Sequence, residues 1–139
     1  MQQFEELGKN LPALFGALLV GILFIQSGLD KVFDWRGNLE WLTGHFSKTF
    51  LRGTVTPMLA TITLMEIATG LLSAAGIVYF LFTSSTVLIF YASVIGAASI
   101  LALFFGQRVA KDYAGAAVLI PYFILLIILM YLTNSFLKV

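Results

Sequence analysis

A glutamate stands deep inside an apolar run, and it is the residue here whose type and place most invite chemistry. Glu66 falls within the stretch Pro57 to Phe80, about nine residues in, or roughly 13 Å along a helix axis. An ionisable group at that depth in a bilayer is costly and marks a site by default. Thr63, Gly70, Ser73 and Ala74 share its face at three- and four-residue spacing. Small residues mark where membrane helices approach closely, so Glu66 is expected to face the bundle interior. Two roles remain open at this point: a proton-handling group beside a ligand, or a structural hydrogen-bond or ion-pair post.

Its expected partners lie at the end of the preceding apolar run, Leu11 to Phe33, on the membrane side from which the second run enters. Gln26, Ser27 and Lys31 are there. Gln26 is about 10 Å below that end, near the level of Glu66. Lys31 has a flexible stem that can lean inward or reach out to the headgroups. Gln107, Arg108, Asp112 and Tyr113 gather on the same side, whereas the opposite half offers mainly Ser, Thr, Tyr79, Tyr131 and Asn134. A polar cluster at one end of an apolar bundle suits a ligand with a polar head and an apolar tail, a quinone or a lipid. Quinone carbonyls need donors, here Lys31, Gln26 and Tyr113 beside Ser27, and a proton source, Glu66 or His45. The plain reading of Arg108, Lys111 and Tyr113 is interfacial anchoring, and that of His45 is a solvated headgroup-level residue.

These residues must be held by membrane helices. Of the 139 residues, 60% are apolar and 11% charged, with a mean hydropathy of +0.98; soluble domains run at about 45–50% and about 25%. That excludes a soluble enzyme and a disordered tail, and a net charge of +1 leaves no electrostatic footprint for nucleic acid. With no cysteine there is no disulfide, iron–sulfur ligation or thiol nucleophile. One histidine cannot by itself supply a bis-histidine haem or a multi-histidine metal site. No covalent or metal cofactor is therefore expected, and a quinone is the candidate.

Four apolar runs, Leu11 to Phe33, Pro57 to Phe80, Val87 to Phe105 and Ala116 to Phe136, each approach the roughly 20 residues that cross a bilayer. The expected fold is all-α, a single integral membrane domain over residues 1–139 built as a four-helix transmembrane bundle. The start, with Glu5 and Glu6 before an overlong apolar run, reads as retained rather than as a cleaved leader. Asn10 before Leu11–Pro12 reads as an N-cap, Thr83 to Thr86 as punctuation able to cap the third span, and Pro121 as a kink in the fourth. Gly16, Ala17 and Gly21, and Ala92 with Gly96, read as helix contacts.

The long break from Asp34 to Thr56 carries Trp35, Leu39, Leu42, Phe46 and Phe50 at three- and four-residue steps. That spacing predicts an amphipathic interfacial helix over about residues 38–51, between spans 1 and 2; a loop anchored by Trp and Phe is the alternative. Lys31, Arg36, Lys48, Arg52, Arg108 and Lys111 fall on one side, against Lys9 and Lys138 on the other. Positive-inside logic places the charged breaks in the cytoplasm and both termini outside.

Phe24–Ile25–Gln26–Ser27–Gly28–Leu29–Asp30–Lys31, and Glu66 followed by Gly70–Leu71–Leu72, resemble the two helix motifs of the DoxX family of small four-helix membrane proteins. Length, span count and the long first break agree over nearly the whole chain. The third break, Gly106 to Tyr113, departs from the Gly-rich, Ser-Leu-Asp ending of many members. The resemblance implies kinship with a thiosulfate–quinone oxidoreductase subunit, with membrane partners of redox enzymes and with assembly proteins. The expected function is an accessory subunit of a redox-linked complex in a bacterial inner membrane, among other membrane subunits or as a homo-oligomer. A stand-alone quinone-interacting oxidoreductase and a non-enzymatic scaffold are the alternatives.

Overall fold

The computed structural model describes residues 2–134, and every regular element among them is a helix: α1 (Gln2–Lys9), α2 (Leu11–Phe33), α3 (Trp35–His45), α4 (Val55–Thr83), α5 (Val87–Val109) and α6 (Tyr113–Thr133). Among the described residues, α2, α4, α5 and α6 are long and apolar enough to cross a membrane, as the hydropathy predicts. Their bounds differ from the apolar runs because helices continue past the last apolar residue. α4 starts at Val55, ahead of Pro57, whose missing N–H goes unnoticed in a first turn. α5 passes Phe105 to end at Val109. The far end of the expected fourth span, residues 135 and 136, and Lys138 lie outside the described residues.

One cap differs from expectation. The Asn10 amide makes no cap bond to α2 but donates back to the Glu6 carbonyl at 2.8 Å, so it ties α1 to the start of α2. Thr86 holds the N-cap position of α5 without a side-chain cap bond, its hydroxyl donating to the Thr133 carbonyl at 3.4 Å, and within the Thr83 to Thr86 stretch it is the Ser85 hydroxyl that accepts from Val87 N. Ser84, at φ 58, stops α4 in the left-handed conformation that closes many helices. Asp112 caps α6 by accepting from Gly115 N at 2.9 Å. α6 runs through Pro121 as one helix.

The spanning helices form a ring, α2 on α4, α4 on α5, α5 on α6, closed by a smaller α2–α6 contact. Val20, Phe24, Ile89 and Leu126 fill its centre, while Phe15, Leu64 and Phe82 are 68%, 70% and 84% exposed. Such an outer surface belongs in hydrocarbon. There, helix association relies on close backbone approach and interhelical hydrogen bonds. Both occur where α2 meets α4: the Ser73 hydroxyl donates to the Ala17 carbonyl at 2.6 Å, and Gly28 and Gly70 let the two backbones interlock.

α3 is shorter than expected and starts earlier. It ends at His45, and a chain of hydrogen-bonded turns follows to Gly53. Ser47, Thr49 and Thr54 hydroxyls donate to carbonyls three residues back, a local bonding that competes with helix. The five apolar residues of this break therefore do not share one helical face. Phe46 is 6% exposed, whereas Phe50, beyond the helix, is 76% exposed.

Candidate functional site

The α2–α4 interlock creates the site. A Cβ on Gly28 would lie 2.6 Å from Ile67 Cγ1, and one on Gly70 would lie 2.7 Å from the Ile25 backbone nitrogen. Their neighbours Ser27 and Glu66 are thus brought face to face. The Ser27 hydroxyl donates to Glu66 Oε2 at 2.9 Å and accepts from Lys31 Nζ at 3.0 Å. Lys31 Nζ also reaches Glu66 Oε2 at 3.0 Å and Oε1 at 3.3 Å. Ser27 and Lys31 are one turn apart on α2, so both point at the same carboxyl group. Glu66 is 2% exposed, and a carboxylate so placed needs both a counter-charge and hydrogen bonds; the cluster supplies both.

Lys31 faces a second environment too. With Asn38, Trp41, Leu42 and Phe46 from the α3 segment, Met58 and Ile62 from α4, and Leu103, Gly106 and Gln107 from α5, it lines a cavity of about 250 Å³. Its walls are mainly apolar, and Lys31 is its one charged side chain. One helical turn deeper on each of the three spans stand Ser27, Glu66 and Ser99. Ser99 Oγ is buried with no hydrogen-bond partner among the described residues. Nothing in the sequence singles out this serine, since a hydroxyl in an apolar helix ordinarily bonds its own backbone.

α3 roofs the cavity and is latched at its end. His45 Nε2 lies 2.7 Å from Gln107 Oε1 and 3.8 Å from Asp112 Oδ2. The imidazole stacks on Trp41 with ring centroids 4.4 Å apart and meets the edge of Phe46 at 5.1 Å. Two cavity-lining aromatics thus rest on the residue that joins α3 to the α5–α6 turn. A net hydrogen bond contributes about 1 kcal/mol, so His45→Ala is expected to speed amide exchange in α3 about fivefold. Gln107→Ala should do the same. Unchanged exchange by mass spectrometry in both variants would show that the latch holds nothing down.

Of the residues expected to converge, Ser27, Lys31 and Glu66 do. Gln26 does not: it is exposed on the outer face of α2, where it lines a groove with Asp30. Successive helical residues are about 100° apart, so with Ser27 turned to α4 its neighbour must turn away. Tyr113 is also elsewhere, 52% exposed and stacked under the Arg108 guanidinium at 4.4 Å. On α4, Thr63, Glu66, Gly70 and Ser73 are buried as expected, while Ala74 is exposed to the outer groove. Set against known proteins, the chain matches no family model, no curated protein and no solved structure.

Proposed function

We propose that the chain is a small subunit of a larger, redox-linked complex in a bacterial inner membrane, of the DoxX type, and that the cavity beneath α3 takes the head of a quinone. The observation that carries this reading is the buried Lys31–Glu66 pair opening through Lys31 onto that mainly apolar cavity. Such walls with few polar groups are the usual make-up of a small-molecule site. Lys31 offers N–H donors to a ring carbonyl, and the carboxyl of Glu66 stands behind it to exchange a proton. A phospholipid head shares the acceptor chemistry, but Lys31 is already balanced by Glu66, so the pair is neutral overall and a phosphate finds no net positive charge. α3, with Trp41 and the adjoining Phe46, lies at the membrane boundary as an interfacial helix, with the charged breaks on the cytoplasmic side. Electrons would come from a partner subunit, since this chain has no cysteine and one histidine.

The cluster also satisfies itself, which favours a second reading as a non-enzymatic assembly protein held in shape by the pair. Mass spectrometry of the protein and lipid that co-purify in mild detergent separates the two. Near-stoichiometric quinone with the wild-type chain, reduced about tenfold by Lys31→Met through loss of a charged hydrogen bond, is the expected result. Enriched phospholipid in place of quinone would move the site to headgroup binding. Large subunits at fixed ratio with neither would leave the assembly role.

A further inference from the structure

The outer face of α2 carries two polar side chains that the chain leaves unsatisfied. Gln26 and Asp30 are exposed, one turn apart, and neither side chain has a hydrogen-bond or ion-pair partner among the described residues. Gln26 lies roughly 10 Å below the end of α2 at Phe33, a depth at which water does not serve its amide. Asp30 is in the last turn of α2, where the helix dipole disfavours a carboxylate. The adjacent Lys31 is turned to Glu66 on another face.

Both residues line one end of an open groove of about 590 Å³ that follows α2 from Ala17 to Phe33 alongside Ala74 and Ile77 of α4. Its length, roughly 24 Å at 1.5 Å per residue, is most of a bilayer's hydrocarbon thickness. Ala17 and Gly21 form its floor, buried against α4, and Ala74 is the exposed small residue that admits a close backbone approach. We propose that this groove seats a transmembrane helix of another subunit, with a lysine or arginine opposite Asp30 and a hydrogen-bonding side chain one turn deeper opposite Gln26. Charge complementarity chooses this occupant. A second copy related by a twofold axis along the membrane normal would set Asp30 against Asp30, and the groove contains no Lys or Arg to relieve it. A lipid can present a cation to Asp30, but its acyl chain has nothing polar at the level of Gln26.

This inference rests on the reading of the chain as a subunit, but it uses the face of α2 turned away from the cavity. The test places the photo-crosslinking residue p-benzoylphenylalanine at Ile22 in the full chain in its native membrane. The expected product is an adduct with one polypeptide, in a spanning helix with a Lys or Arg within two turns of the linked residue. Asp30→Lys should reduce it at least tenfold and Gln26→Leu in part. Changing the partner's basic residue to glutamate should restore the adduct in Asp30→Lys. The adduct should persist in Glu66→Gln, so a quinone pocket that fails its own test leaves this result standing. Adducts confined to lipid or to a second copy, a partner helix without a basic residue, or an adduct indifferent to Asp30→Lys would overturn the proposal. Both side chains are exposed, so these variants are expected to melt as the wild type does.

Discussion

Lys31→Leu is expected to destabilise the bundle by about 3–5 kcal/mol, the usual loss when one member of a buried ion pair is removed. Glu66→Gln should cost clearly less. The asymmetry follows from burial: the Lys31 side chain is 19% exposed and that of Glu66 only 3%. Without Lys31 the carboxyl keeps only the Ser27 hydroxyl, and its own side chain is too buried to hydrate as the lysine can. Without the charge on Glu66, the lysine stem can straighten toward the headgroups and hydrate its ammonium. The double change Lys31→Leu with Glu66→Leu should recover most of the loss, because an apolar pair of similar volume is often as stable as a buried ion pair. Denaturant unfolding in one detergent, followed by circular dichroism, measures these variants and Glu66→Leu alone, which closes the cycle. Strictly additive effects would mean that the two groups do not interact, and the site as described would not exist.

Gly70→Ala should be nearly as damaging locally, at about 1–3 kcal/mol for overpacking, and its contrast with other glycines is the informative part. At Gly70 the new methyl would meet the Ile25 backbone nitrogen at 2.7 Å, and backbone cannot swing aside. At Gly28 the nearest atom is the Ile67 side chain at 2.6 Å, with backbone only at 3.3 Å, so Gly28→Ala should be milder. Gly44 has nothing within 4 Å and no positive φ, so Gly44→Ala should stabilise α3 by about 0.5–1 kcal/mol. Gly70→Ala should also draw Ser27 away from Glu66, so quinone retention is expected to fall with stability. Equal melting of the Gly70 and Gly44 variants would contradict the α2–α4 spacing.

Much of this protein was legible from one dimension. Crossing a bilayer is a matter of length and hydropathy, because an unpaired backbone in hydrocarbon leaves few options besides helix. The four spans therefore follow from their apolar runs. The inward face of Glu66 was legible as well, since Thr63, Gly70 and Ser73 carry small or hydroxyl side chains that lipid does not require. Less was legible in the first break. There the spacing of Trp35, Leu39, Leu42, Phe46 and Phe50 looks helical throughout, yet local hydroxyl-to-carbonyl bonds from Ser47, Thr49 and Thr54 end the helix at His45.

What the sequence by itself determined was composition and depth: a four-span helical membrane domain, polar at one end, with an acid inside it. What only the tertiary structure decided was direction around each helix axis. Depth places Gln26 and Ser27 together, but the helix turns about 100° between them. The Gly28–Ile67 and Gly70–Ile25 interlock then selects Ser27 for Glu66 and leaves Gln26 on the outside with Asp30. Likewise, His45 and Gln107 are far apart in the chain and meet only because α3 folds back over the ends of α4 and α5. Hydropathy is a property of segments, whereas such pairings depend on which faces of two helices can approach closely, and that is set by the shapes on both.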